Sequence, residues 1–526
     1  MGHDAAARFG GASTMLILRG GWVLVDPAKG EVLRDGAVRI ANGRVQEVAP
    51  AADLIHRLPG AEVIGGPDDI VLPGLIDAHS HGRGLSPIQK GVLYDYLENA
   101  FLDWSTMAYL PNELCAALSA VRHLRYGATT IHHTGWNDEG PNATAEARKA
   151  ILAYREAGIR LAYSPAVRNR NKFCVDEQAF AATLPADLAD FVRPLIAYDA
   201  DAIEQGYMDQ FEALHAAFDG PMSRIFHGPS WAHGTTERFF ARVRDSAAAK
   251  GGIPIHIHTL QTPHQRAYGL KAHGKSLVAY LDDLGLVAPN VTLGHAVWLS
   301  EADIALMAAR GASTTHHASC NLHVRNGISP VFPMLRAGVN VAMGIDDKSI
   351  NDDDDPFMEL RLISMLARVP GFDLGAETRL SASEVLAMGT VNAARTLGFG
   401  GMLGTLAPGM LADAVVLDTA EMLRDPWTSE RLSVPDLVLL RAKGSHTKHV
   451  VVDGKVVVRD RRIITMDVDA LYAEIRAWVA KHQDSAADPH RVGMIRRLKP
   501  HFHAWHRDML RHLDVTVPHY MMNGAR

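Results

Sequence analysis

The sequence predicts an α/β protein: a (β/α)8 TIM-like barrel, a small β-sandwich domain built from N- and C-terminal segments, and a C-terminal helical extension. Three observations predict it. From about Val71 to Thr396, short apolar strands alternate with amphipathic helices about eight times, the rhythm of a parallel-stranded barrel. On both sides of that stretch, strand-like runs are broken by Gly, Asn and Asp. Beyond them the chain carries helical stripes. The expected divisions are 15–70 and 400–465 for the small β domain, 71–399 for the barrel, and 466–526 for the extension.

Eight barrel strands are expected at LIDAHSH, ATTIHHT, RLAYSPAV, RIFHGPS, PIHIHTL, VTLGHAV, ASTTHHA and VNVAMGIDD. Between them, ELCAALSAVRHLRYG places Leu114, Leu118 and Val121 on one helical face. Ser300 is the expected N-cap of EADIALMAARG, which a glycine stops. In the N-terminal β segment, ANGR is a hairpin turn because Asn-Gly tolerates positive φ, and Asp453-Gly454 gives a second one. Residues 1–14 read as a loose tail. In the extension, Leu471, Tyr472, Ile475, Trp478 and Val479 form one stripe, and Phe502, Trp505, Met509 and Leu513 another. The histidines His501, His503, His506 and His512 read as a solvated face or an oligomer contact.

Composition excludes several roles. The 526 residues suit a large barrel with additions, and 47% hydrophobic with 21% charged residues is a soluble balance. A net charge of −6 with dispersed Lys and Arg argues against nucleic acid. No apolar run is long enough to span a membrane, and the N-terminus lacks a signal-peptide core. Cys115, Cys174 and Cys320 are far apart and form neither a disulfide framework nor a CxxC site, which fits a reducing cytosol. The expectation is a cytoplasmic homo-oligomer whose partner is a small-molecule substrate.

Function in such a barrel gathers at the C-terminal ends of the strands. Strand one ends in His79-Ser80-His81, and residues two apart face the same side. Both imidazoles can therefore point into the barrel mouth and share one metal. Strand five gives His256 and His258, strand six His295, strand eight Asp346. Imidazoles with one carboxylate suit zinc, and also iron. His227 sits on strand four, and Trp231 and Trp298 could wall a pocket. Arg83, Arg168, Arg170 and Lys172 follow strands one and three and could meet an anionic substrate. The acidic run Asp352–Asp355 reads as charge at the start of the next helix.

The motifs PGLIDAHSH, PIHIHTLQ, LGHAVWLS and GIDD, with the later GMLGTLAPGMLADAVVLD, resemble the amidohydrolase superfamily over roughly residues 15–465. The segment CNLHVRNGISP, which contains Asn321, resembles that of the cytosine deaminase, guanine deaminase and triazine hydrolase branch. The resemblance implies His79, His81 and His258 as metal ligands, Asp346 as ligand and proton acceptor, and His295 as the group that stabilises the oxyanion. Two-metal members use a carboxylated lysine on strand four. Here RIFHGPSW has none, so one divalent metal per chain is implied, zinc first and iron second. The deaminase branch carries a Glu three residues after the strand-five ligand; here that position is Gln261, whose amide cannot shuttle a proton. The expected reaction is therefore hydrolysis of a non-peptide C–N bond of amide, carbamate or urea type, with Asp346 as base. Deamination or dechlorination of a purine, pyrimidine or triazine is the alternative. A catalytically inactive structural relative is the third reading, disfavoured by the retained ligands. Substrate contacts are expected from Gln261, Trp298, Asn321, His227 and Arg83.

Overall fold

A computed structural model of the chain describes residues 15–135, 138–346, 348–368, 379–425, 427–482 and 488–511. The expected tail 1–14 and the extension residues His512 and Leu513 lie outside them.

The strands in chain order are β1 (Leu16–Asp26), β2 (Glu31–Ala41), β3 (Arg44–Pro50), β4 (Glu62–Pro73), β5 (Leu75–Ser80), β6 (Ala128–Thr134), β7 (Arg160–Ser164), β8 (Ser223–Ile225), β9 (Ile255–Thr259), β10 (Val291–His295), β11 (Ser313–His316), β12 (Asn340–Met343), β13 (Ala414–Asp418), β14 (Thr447–Val452), β15 (Lys455–Arg459) and β16 (Arg462–Ile463). Strands β5 to β8 form one parallel sheet and β9 to β12 another, each in sequence order. Both seams between the sheets are hydrogen-bonded. Asp346 donates its N–H to the His79 carbonyl at 2.7 Å, and His256 donates to the His227 carbonyl at 2.8 Å. These eight strands thus fall on the predicted strand segments. They are largely buried on both faces, as continuous apolar runs such as Val341–Met343 require. Helices follow the strands. The helix Asn112–Arg125 buries Leu114, Leu118 and Val121, and Ser300 closes a capping box with Asp303 at the start of the helix Glu301–Arg310.

The remaining strands form a single eight-stranded sheet in the order β16-β15-β14-β13-β4-β1-β2-β3, joining both ends of the chain. Asn42 and Gly43 turn the β2–β3 hairpin with φ of 53° and 70°, and Asp453 and Gly454 turn β14–β15 with 50° and 73°. The far edge folds back: Ala412 donates to the Gly43 carbonyl and Val45 to the Met410 carbonyl, both at 2.9 Å. Residues from β1, β2, β3, β4, β13 and β14 enclose one apolar cluster.

The extension supplies the helices Val468–His482 and Pro489–Leu510. The first buries Leu471 and Ile475 against Leu114 and Leu118. The second buries Met494, Ile495, Leu498, Phe502 and His506. Its apolar side chains pack on Leu102, Cys174, Phe180 and Leu188, which belong to segments after β5 and β7. His506 is therefore not on a solvated face, whereas His503 is exposed. Among the described residues no helix is long and apolar enough to cross a membrane.

Candidate metal centre at the strand ends

The ends of β5, β9, β10 and β11 and the residues after β12 bring His79, His81, His258, His295, His317 and Asp346 together, all buried. Asp346 lies at the centre. Its Oδ1 is 3.2 Å from His81 Nε2 and 3.7 Å from His79 Nε2. Its Oδ2 is 3.5 Å from both His295 Nε2 and His317 Nδ1. The rings of His81 and His258 stack 5.5 Å apart. Ligand-capable atoms of His79, His81 and His258 lie within 4.8 Å of one another, and so do those of His79, His295, His317 and Asp346.

The opposite ring nitrogens are engaged. His81 Nδ1 donates to the Thr134 carbonyl at 3.0 Å, and His258 Nδ1 to the Ser230 carbonyl at 2.7 Å. His79 Nδ1 is 2.7 Å from His256 Nε2. With Nδ1 the donor in each, three Nε2 lone pairs are left for a cation, the arrangement in which outer partners fix tautomer and orientation. His79 Nε2 and His295 Nε2 are buried without a hydrogen-bond partner, so the donor set fits a divalent metal.

The electrostatics agree. Burial, reinforced by His317 and His256, holds His79 well below the ordinary histidine range. Burial pushes His258 down to about 3. These rings are neutral at pH 7, as ligation requires. Burial alone would raise the Asp346 carboxyl, but the imidazoles around it, His317 and His81 foremost, overcome it and keep the group a carboxylate.

The backbone is held with matching care. Leu260, His295, Ala296 and Asp346 have φ of 51°, 71°, 46° and 67°, strained values that persist only where neighbours over-determine them and that cluster at functional sites. Asp77 supplies part of that restraint. Its Oδ1 accepts from the N–H groups of His79 at 3.1 Å and Ile345 at 2.9 Å, across the β5–β12 seam. His123 Nε2 holds the other oxygen at 3.0 Å.

Of the expected substrate contacts, Asn321 touches this cluster. Asn321 Oδ1 is 3.1 Å from His295 Nδ1. Gln261 is buried at the end of β9, its Oε1 without a partner. His227 does not reach it. Its ring stacks 3.7 Å from Phe211 and bonds Tyr207 and Ser246, so it points outward into the helical layer. Trp298 donates its indole N–H to the Asn326 carbonyl at 2.7 Å, and Arg83 lies 4.5 Å over the Trp104 ring. Trp231 does approach, 6.5 Å from the His258 ring. The acidic run ends as expected, with Asp355 capping the helix Pro356–Leu366.

Sequence reasoning missed a second polar group, built on the residues just after Gln261. Glu98 accepts from Thr262 Oγ1 at 2.7 Å and pairs with His264 Nδ1 at 2.8 Å, and the His264 ring lies 4.9 Å from that of His506. Only the adjacency of Thr262 and His264 to Gln261 hinted at it.

The amidohydrolase family matches residues 70–457. The chain belongs to the amidohydrolase family. This amidohydrolase is 30% identical over 468 residues to a 5′-deoxyadenosine deaminase of Methanosarcina barkeri, covering 86% of this chain and 94% of the relative. It is 28% identical over 481 residues to a 5-methylthioadenosine/S-adenosylhomocysteine deaminase of Syntrophobacter fumaroxidans, covering 89% and 98%. Among solved structures, an adenosine deaminase from Xanthomonas campestris with bound zinc superposes with a TM-score of 0.74 at 26% identity, over 89% of this chain and 98% of that one. The atrazine chlorohydrolase of Arthrobacter aurescens, complexed with zinc, gives 0.73 at 22% identity over 88% and 99%, a likeness of fold. These likenesses imply a TIM-like barrel for the eight parallel strands. The amidohydrolase is thus a metal-dependent hydrolase of carbon–nitrogen bonds other than peptide bonds.

Proposed function

We propose that this amidohydrolase hydrolytically removes an amino group from a nitrogen heterocycle. The observation that carries the reading is the cluster of His79, His81 and His258, each ring held through Nδ1, with the Nε2 atoms of His79 and His81 turned to the Asp346 carboxylate. In this reading residues 71–399 form a (β/α)8 barrel, 15–70 and 400–465 its small β-sandwich domain, and 466–526 the extension. His79, His81, His258 and Asp346 would hold one divalent ion per chain, zinc before iron. Such an ion, when bound, lowers the pKa of its water to about 7.

The chain's own groups do the rest. Asp346 accepts the proton of the attacking water and returns it to the leaving nitrogen. His317 Nδ1 lies 3.0 Å from His295 Nδ1. His295 Nε2, 3.5 Å from Asp346 Oδ2, is the atom placed to hold the developing oxyanion, a contribution of ~3 kcal/mol. Gln261 hydrogen-bonds the ring of the substrate without transferring a proton, and Asn321 orients His295. Nucleoside deaminases among the relatives support the heterocyclic substrate.

The unpartnered Gln261 Oε1 favours a second reading, hydrolysis of an amide, carbamate or urea, which needs no ring protonation. Ammonia release by the zinc-loaded protein separates them, measured on purine nucleosides, pyrimidines and triazines beside N-carbamoyl compounds and ureas. Deamination predicts turnover of at least one heterocycle. Turnover confined to the carbamoyl and urea set would replace it with the second reading. No turnover on either set at full metal occupancy would sink both.

A further inference from the structure

We propose that the helix Pro489–Leu510 forms one wall of a cationic groove that binds a phosphate or carboxylate carried by the substrate. The inference rests on the reading that a small molecule reacts at the Asp346 cluster. The helix lies outside the residues that match the family.

Two adjoining cavities run along it. One, of about 220 Å³, lies between Tyr96, Thr262, Arg325 and Asn326 on the barrel side and His506 and Arg507 of the helix. The other, of about 420 Å³, is lined by Asn99 and by Arg496, Lys499, His503 and Arg507. His503 and Arg507 belong to both. Steps of three and four residues place positions 496, 499, 503 and 507 on one helical face.

The charge along this groove is one-sided. Lys499 is paired with Asp103 at 2.8 Å, and the Glu98 carboxylate is engaged by Thr262 and His264. Arg325, Arg496 and Arg507 have no ion-pair partner among the described residues. A cleft lined by one sign of charge concentrates ions of the other sign.

The groove also reaches the reacting end. Thr262 directly follows Gln261. Asn326 is fully buried and donates its Nδ2–H to Asn321 Oδ1 at 3.1 Å, the same oxygen that lies 3.1 Å from His295 Nδ1. Asn326 Oδ1 and the Tyr96 hydroxyl are both buried and unpartnered. Buried polar atoms without partners are uncommon enough to need an explanation, and here they line an opening with a cationic rim. A substrate whose ring lies at Gln261 would place a charged substituent between Arg325 and Arg507.

The test titrates the zinc-loaded full chain calorimetrically with phenyl phosphate, benzoate and neutral benzyl alcohol. It then repeats the titrations on Arg325→Gln/Arg507→Gln and on Arg507→Glu. Zinc content and melting temperature check that the variants fold; both arginines are exposed. The expected result is saturable binding of at least one anion, weakened tenfold or more in both variants, with benzyl alcohol unaffected. Preference for phenyl phosphate identifies a phosphate-bearing substrate, and preference for benzoate a carboxylate. Absence of saturable anion binding, or equal affinity in wild type and variants, would overturn the proposal. Ammonia release is scored separately, so a protein that binds the anions but deaminates nothing refutes the deaminase reading and leaves the groove.

Discussion

The histidines at the strand ends and those beneath the C-terminal helix are held by different kinds of partner. At the strand ends, His81 and His258 give Nδ1–H to backbone carbonyls, and His79 is in contact with another imidazole. A carbonyl fixes a neutral tautomer and leaves Nε2 bare. Beneath the helix, His264 is paired with a carboxylate, Glu98. The first arrangement pre-organises lone pairs for a cation. The second ties the helix Leu97–Trp104 to the helix Pro263–His273 and leaves cationic side chains at its rim. One fold thus presents histidine nitrogens without hydrogen-bond partners at the floor of the site and a histidine–carboxylate tie at its roof.

The comparison breaks first at Asp346, where all the floor imidazoles except His258 converge. Asp346→Asn should lower kcat/KM by about 10²–10⁴-fold, the usual worth of a positioned general base, with an unchanged circular dichroism spectrum. Wild-type turnover would remove Asp346 from the mechanism. The roof breaks at Phe502, which is 2% exposed. Phe502→Ala should cost about 3–5 kcal/mol of local packing and speed proteolysis of residues 488–511. Zinc stoichiometry should stay at the wild-type value. A fall in zinc content would mean that floor and roof are one cooperative unit. Removing zinc with a chelator should do the opposite, lowering the melting temperature by the equivalent of about 2.7 kcal/mol at a metal concentration of 100 Kd while the roof stays protected. A smaller effect is expected of Gln261→Glu, a gain of roughly tenfold on heterocyclic amines if the missing proton shuttle limits the rate. An unchanged substrate profile would show that Gln261 does not face the substrate.

Much of the floor was legible in the sequence, and little of the roof. His79, His81 and Asp346 could be placed because strand alternation puts residues two apart on one side and because barrel function gathers at strand ends. The same rule misled at His227. Strand β8 ends at Ile225, so alternation no longer dictates where a side chain two residues later points, and Phe211 and Tyr207 draw the ring outward. Of the two candidate tryptophans, Trp231 approaches the cluster and Trp298 turns to the Asn326 carbonyl. Which one does so depends on loop paths that no local pattern encodes. The Glu98–His264 pair joins residues 166 positions apart, and a helix stripe at Phe502 and His506 announces burial without naming the surface it will cover.

The smallest effect tests the roof's charge directly. The Glu98 side chain is 16% exposed. Burial would raise its carboxyl, but the charge and hydrogen bond of His264, helped by His506 and the Thr262 hydroxyl, bring it down to about 2 from 4.5. His264, His506 and the neighbouring Tyr96 are the titratable groups that face it. A carboxyl depressed by folding contributes stability that is complete above its unfolded value and is lost as pH falls through the folded one. Glu98→Gln keeps an acceptor for Thr262 and removes the charge. The melting temperature of the variant should therefore lie a few degrees below wild type above pH 5, and the gap should close between pH 4.5 and 2. A gap constant across that window would mean that Glu98 acts through shape alone. The contrast between a neutral floor and a charged roof would then fail at its best-defined contact.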